Sequence, residues 1–152
     1  MNQRKNEVTE GLNCLSLYHS LLNPQRIYKY VCIFVIMELV ALISTGKGSW
    51  GLINSLINKE EWDKIILVGE EYAKKFSPNK KSEFVVINFN QDVEKVKKEI
   101  MEKLRSKLQG IEVALCIDSG SGKEHIALIS ALINIPVGIK FVTLTEKGAL
   151  YI

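Results

Sequence analysis

The chain has 152 residues, 47% hydrophobic and 24% charged, with a mean hydropathy of +0.07, which fits a globular domain with a real core and excludes a disordered tail or a collagen-like repeat. Its 20 Lys+Arg against 17 Asp+Glu leave a formal charge of +3 with the two signs interspersed, too small an excess to specify a groove for duplex nucleic acid or a polyanion surface. Cys14, Cys32 and Cys116 are odd in number, far apart and outside any CxxC or Cys/His cluster, so neither a disulfide scaffold nor a zinc site is expected, and a reducing cytoplasm is the default location.

From Met1 to Ile36 the text MNQRKNEVTEGLNCLSLYHSLLNPQRIYKYVCIFVI has no sustained helical or strand period and is interrupted at Asn23-Pro24. The apolar stretch from Tyr30 to Ile43 is split by Glu38. Each half falls far short of the roughly 20 apolar residues that a spanning helix needs, and a mid-span carboxylate costs about 2–3 kcal/mol. Arg26 and Lys29 resemble the basic flank of a signal peptide, but no clear small-residue cleavage site follows, and cleavage near Ser44 would remove a strand that the fold needs. Membrane association is therefore not expected. The organisation expected is a poorly patterned extension over 1–36, with Met37 the physiological start, and one domain over 37–152. Without Arg4, Lys5, Arg26, Lys29, Glu7 and Glu10 the 20 basic and 17 acidic residues become 16 and 15, so any anion specificity has to come from local loops rather than net charge.

After Met37 the pattern alternates. Leu39 to Ser44 is a short continuous apolar run, as in a strand buried on both faces. The loop STGKGSWG leads into a helix carrying Leu52, Ile53, Leu56 and Ile57 at helical spacing. Lys64 to Val68 is the second strand, and Glu70 to Phe76 is a short helix ended by Ser77-Pro78. Phe84 to Phe89 is the third strand. Asp92 to Leu108 is the clearest helix, with Val93, Val96, Ile100, Leu104 and Leu108 three or four apart and Gly110 in the position of a C′ glycine; such a stripe is expected to pack on a sheet. Glu112 to Ile117 is the fourth strand, followed by DSGSGK and a helix from about Lys123 to Ile133, which Pro136 keeps from continuing. Gly138 to Leu144 and Ala149 to Ile152 close the chain as two strands around TEKG. This order predicts an α/β, Rossmann-like three-layer sandwich: a mostly parallel six-stranded sheet with helices on both faces and a C-terminal β-hairpin.

Ligands of such sheets bind outside the carboxyl ends of the strands, where strand order reverses. The loops after the first and fourth strands are expected to be neighbours there. Ser44, Thr45, Gly46, Lys47, Gly48, Ser49, Trp50 and Gly51 form one, and Asp118, Ser119, Gly120, Ser121, Gly122 and Lys123 the other. Glycines let backbone approach a ligand, hydroxyls and free N–H groups suit phosphate oxygens, and each loop opens a helix whose positive end favours an anion. The pair points to a phosphate- or nucleotide-containing ligand. Asp118 suits either a ligand hydroxyl or its own turn, Trp50 either a ligand base or the core, and His125 is expected at the surface or capping its helix, with His19 in the extension.

Two motifs compete for the same residues. Gly46-Lys47-Gly48-Ser49-Trp50-Gly51 satisfies GxGxxG between a strand and a helix, with Glu70 about where a ribose-binding acid belongs; on that reading the chain is an NAD- or other nucleotide-binding enzyme subunit whose hydride chemistry needs a partner. The second loop departs from a P-loop, because Ile117 stands at its first glycine and Glu124 at its magnesium-binding Ser/Thr, so Walker-type ATP hydrolysis is not expected. A non-catalytic assembly protein is a third reading.

Over about Glu38 to Ile152 the arrangement resembles the CARF family, the CRISPR-associated Rossmann fold domains, in a stand-alone form. The likeness is carried by the six-strand order with its terminal hairpin, by Ser44-Thr45-Gly46, and by Asp118-Ser119-Gly120-Ser121-Gly122-Lys123, where family loops often read closer to TGGTK. It implies a role in antiviral defence and a homodimer that binds a cyclic oligoadenylate across its two-fold axis, each subunit contributing both loops. Most relatives fuse this sensor to an effector nuclease or a winged-helix domain; a solitary domain implies a sink for the messenger or a ring nuclease. Cleavage of that kind needs no metal or cofactor: the ligand's own 2′-OH attacks the adjacent phosphate while the protein aligns it and stabilises developing charge. On the resemblance Lys123 stabilises the phosphorane, Ser44 or Thr45 positions the attacking hydroxyl, and Gly46, Lys47, Gly48, Ser49, Trp50, Asp118, Ser119, Gly120, Ser121 and Gly122 line the ligand. No histidine or carboxylate pair suggests a stronger general base, so slow turnover and binding alone both fit. The expectation that the physiological chain starts at Met37 predicts that mass spectrometry of the native protein finds Met37 at its N-terminus and no peptide from residues 1–36.

Overall fold

The structure is a computed structural model that describes residues 37–152, so the expectations for residues 1–36, including the start at Met37 and the apolar run from Tyr30, lie outside the described residues. Six strands form one sheet in the order β3-β2-β1-β4-β5-β6. They are β1 (Glu38–Ile43), β2 (Lys64–Gly69), β3 (Glu83–Val86), β4 (Glu112–Cys116), β5 (Gly138–Thr145) and β6 (Gly148–Tyr151). The first five are mutually parallel, and β6 closes one edge as an antiparallel hairpin with β5. The helices are α1 (Lys47–Lys59), α2 (Val93–Arg105) and α3 (Gly122–Ile133), with a 3₁₀ helix at Glu71–Lys75. Among the described residues no helix is long and apolar enough to cross a membrane.

The layers follow from the two-residue period of a strand. In β1 all six residues are buried. Leu39, Ala41 and Ile43 pack with Ile65 and Leu67 of β2 against Ile53, Leu56 and Ile57 of α1 and against Ala73 and Phe76. Val40 and Leu42 point the other way, with Ile66 and Val68, onto Val96, Ile100 and Leu104 of α2 and Ala127, Leu128, Ala131 and Leu132 of α3. A strand covered on both faces has no polar side to show, which is why β1 reads as a continuous apolar run. This is the Rossmann-like three-layer sandwich that the sequence predicts.

Some boundaries differ for local reasons. Helix α1 begins at Lys47, so most of the expected loop STGKGSWG is helical; the packed face of Ile53, Leu56 and Ile57 outweighs the weak helix preference of Gly48 and Gly51, each costing about 1 kcal/mol. Strand β3 stops at Val86, since β2, its only neighbour among the described residues, ends at Gly69, and Asn90 N then donates to Asn88 Oδ1 at 3.0 Å to turn the chain. Helix α2 ends at Arg105, and Gly110 is not its C′ residue. Instead the backbone N–H groups of Gln109 and Gly110 donate to the buried carboxylate of Glu38, at 3.0, 3.1 and 2.9 Å. Glu38 is 1% exposed, and a carboxylate so deep requires donors. It ties the amino end of β1 to the α2–β4 connection. Glu38→Ala leaves two N–H groups in that connection without their acceptor and is expected to cost about 1–3 kcal/mol, measured as a lower midpoint in urea unfolding, with the far-ultraviolet circular dichroism of the folded chain unchanged.

Candidate functional site

Strand order reverses between β1, which continues toward β2 and β3, and β4, which continues toward β5 and β6. The crevice of such a sheet lies at this point, at the carboxyl ends of the strands. The loops after β1 and β4 meet there as expected, joined by a hydrogen bond from Ser44 N to Ser119 Oγ at 3.0 Å.

Beneath the loops lies a group that the sequence reading passes over. Glu124, in the first turn of α3, is 8% exposed. Its carboxylate accepts the Ser44 hydroxyl at 2.8 and 3.1 Å and the Ser121 backbone N–H, while the Ser121 hydroxyl accepts from Glu124 N, completing a capping box. Tyr72 Oη lies 3.4 Å from Ser44 Oγ. The signal was present as Ser121-x-x-Glu124, the capping-box spacing, but its bond to Ser44, 80 residues away, has no local signature. Gly120 wraps the loop over this carboxylate at φ +116°, and a Cβ there would stand 2.4 Å from Leu42 Cδ2 and 3.2 Å from Glu124 Oε2.

The expected site residues therefore divide. Ser44, at 4% exposed, and Ser119, at 3%, hold the two loops together from inside. The Ser44 hydroxyl, expected to position a ligand hydroxyl, donates to the Glu124 carboxylate. Thr45 and Gly46 are exposed, as are Gly48, Gly120, Ser121, Gly122 and Lys123. Lys47 opens α1. Ser49 turns inward on its own loop, its Oγ donating to Gly46 O at 2.7 Å. Trp50 takes its core reading and not the ligand-stacking one: its indole N–H donates to Ser44 O at 2.8 Å, and its ring meets Phe76 edge-on at 5.7 Å and 73°, which fixes the ring within the α1 layer.

Lys123 Nζ reaches sideways to Phe89 O at 2.8 Å, using one of three donors. Asp118 is exposed and accepts Thr143 Oγ1 at 3.0 and 2.9 Å, with Cys116 Sγ 3.5 Å from its Oδ2. Burial pushes the Cys116 thiol up to about 12, so at neutral pH it is protonated and not a nucleophile. His125 Nε2 donates to Ser119 O at 2.9 Å and closes the loop, a structural use in keeping with its expected place near the helix start. Among the described residues no three His, Cys, Asp or Glu side chains converge as metal ligands.

The dinucleotide fingerprint lacks its geometric support. In that motif the third glycine lets helix and strand pack closely, yet a Cβ on Gly51 or Gly48 would meet nothing within 4 Å. Glu70 is paired loosely with Asn90 Nδ2 at 3.4 Å. No protein-family model matches the chain, and no curated protein matches it.

Gly120 in its loop and Gly48 in α1 are expected to behave oppositely on substitution. Gly120→Ala forces a side chain into a left-handed backbone and against Leu42, lowering stability by about 1–3 kcal/mol. Gly48→Ala, in an open helical position, raises it by about 0.5–1 kcal/mol; chemical unfolding of both variants beside the wild type checks the pair.

Proposed function

We propose that residues 37–152 form a nucleotide-binding domain of the CARF type, whose ligand is a cyclic oligoadenylate that the protein senses or slowly cleaves without a metal. The observation that carries this reading is the bond from Ser44 N to Ser119 Oγ. It holds two glycine-rich loops side by side at the reversal of strand order, so a ligand in the crevice meets both at once. Supporting it, α1 starts at an exposed Gly46 of φ +144° with no acidic residue in its first turn, which leaves that helix end favourable to a phosphate.

In this reading Thr45, the exposed hydroxyl of the β1 loop, positions the attacking 2′-OH, and Ser44 holds that loop in place from below. Lys123 offers its remaining two donors to the phosphorane; the O2′–P bond forms as the P–O5′ bond breaks, leaving a 2′,3′-cyclic phosphate and a 5′-hydroxyl that carries the proton lost by the 2′-OH. Rate acceleration in this reading rests on alignment and charge stabilisation, and turnover is slow. Two copies of the domain facing each other would surround a ring with four loops, which is the use of a homodimer in this proposal. The setting is cytoplasmic antiviral defence.

The test is titration of the purified chain with cyclic tetra-adenylate and cyclic hexa-adenylate, followed by thermal unfolding and by product chromatography. Ligand at a hundredfold excess over Kd adds about 2.7 kcal/mol, so one of the rings is expected to raise Tm by several degrees. If product forms, Lys123→Ala slows it about a hundredfold, while Glu70→Ala leaves ring binding unchanged. No shift and no product with either ring overturns the proposal, and NAD binding that is lost in Glu70→Ala establishes the dinucleotide reading in its place.

A further inference from the structure

The two edges of the sheet are finished differently. Among the described residues β3 and β6 are its outer strands, and an outer strand carries backbone donors and acceptors that pair with another chain unless charge, proline or covering structure blocks them. On β3, Ile87 N donates toward β2, to Gly69 O at 2.9 Å, so the Val86 carbonyl one residue earlier faces the outer edge, and Lys103 Nζ donates to it at 2.8 Å. Lys64 and Lys107 hold Glu83 at the start of the same strand. The β6 edge has no such guard among the described residues. Residues 148–152 read GALYI, without a charge or a proline, and Leu150, Tyr151 and Ile152 are all exposed. Phe141 and Ile152 exchange both backbone hydrogen bonds, at 3.1 and 2.8 Å, and the register sets Thr143 opposite Leu150 and Thr145 opposite Gly148. Alternate residues of an antiparallel strand turn their backbone groups to opposite sides. Gly148, Leu150 and Ile152 therefore bond to β5, and the N–H and C=O of Ala149 and Tyr151 face outward, where no described residue meets them.

We propose that this edge is where two copies of the chain join, β6 lying antiparallel to β6 of the second copy across a two-fold axis centred on Leu150. That register sets Ala149 opposite Tyr151 of the second copy, so all four outward groups of each strand are paired, and Leu150 meets its own counterpart at the closely spaced, non-hydrogen-bonded position. A shift of two residues either way pairs only two of the four groups within the strand. The side chains agree with the same register: the large Tyr151 falls beside the small Ala149, and Ile152 beside Gly148. Leu150, Tyr151 and Ile152 together expose about 300 Å², the size of the largest apolar patch on many monomers. Two copies joined here cover on the order of 1,000 Å² with their strand backbones, the low end for a specific contact, which suits a pair held largely by main-chain hydrogen bonds. The opposed strands send the two crevices to opposite ends of one continuous sheet, so this pairing is separate from the crevice-to-crevice pair proposed above and stands without it.

The experiment is sedimentation velocity of the full chain without ligand, over about 1–500 μM. Wild type is expected to pass from monomer to dimer with a Kd on the order of 10 μM. Leu150→Lys and Leu150→Glu each set like charges against each other on the axis and are expected to raise that Kd about tenfold or more, while an equimolar mixture of the two recovers dimer. Mixing does not repair a folding defect, so recovery reports the contact itself. Ala149→Pro removes an outward N–H that β5 does not use and is expected to raise Kd about tenfold, with the far-ultraviolet circular dichroism unchanged. A wild type that stays monomeric throughout, as when another part of the chain covers this edge, overturns the proposal. So does a dimer that the folded variants leave intact, which is then a pair formed elsewhere, and so does a mixture of the two Leu150 variants that stays monomeric. If the Leu150 variants do not fold, Ala149→Pro decides alone: a raised Kd supports the pairing, and an unchanged one overturns it.

Discussion

The hydrogen bond from the Ser44 hydroxyl to the Glu124 carboxylate joins residues 80 positions apart, and the crevice end of the molecule is organised around it. A carboxylate at 8% exposure is tolerable only with donors aimed at it. Ser44 supplies one from the end of β1, and Ser121 supplies another from the start of α3. Holding them in place requires the left-handed turn at Gly120, the Ser119 hydroxyl on Ser44 N and the His125 ring on Ser119 O.

The opposite end of β1 repeats the device. Glu38 is buried at the strand's start and takes the N–H groups of Gln109 and Gly110. The central strand is thus pinned at both ends by buried carboxylates on backbone donors, while its middle is held by apolar packing on both faces. The division is physical: side chains between two helical layers meet only hydrocarbon, whereas at the strand ends the layers thin and loop N–H groups become available. The Glu38 end is closed by the α2–β4 connection. Among the described residues, the Glu124 end is covered by the two loops that follow β1 and β4, rich in glycine and hydroxyls.

Several candidate residues turn out to have internal work, and the reason is general. Trp50, Ser44, Ser119 and Ser49 were candidates because their types suit nucleotides, yet the same donors and flat rings also suit a protein's own backbone. Trp50 bonds Ser44 O and Ser49 bonds Gly46 O over six and three residues. Such short-range bonds leave fewer candidates facing outward: Thr45, Gly46, Gly48, Asp118, Gly120, Ser121, Gly122 and Lys123.

The amino-acid sequence by itself determined the alternation of strands and helices, the two-faced burial of β1, the stripe of Val96, Ile100 and Leu104, the terminal hairpin, and which two loops would meet. All of these follow from hydrophobic period, from proline and glycine punctuation, and from the rule that parallel crossovers place such loops at one sheet end. Only the tertiary structure decided that α1 starts at Lys47, that Gly110 serves Glu38 rather than α2, and that Glu124 lies under the crevice with Ser44. Those outcomes depend on contacts between residues tens of positions apart, between carboxylates and donors that no local pattern pairs. Burial makes such pairings compulsory, and burial exists only once the layers have closed.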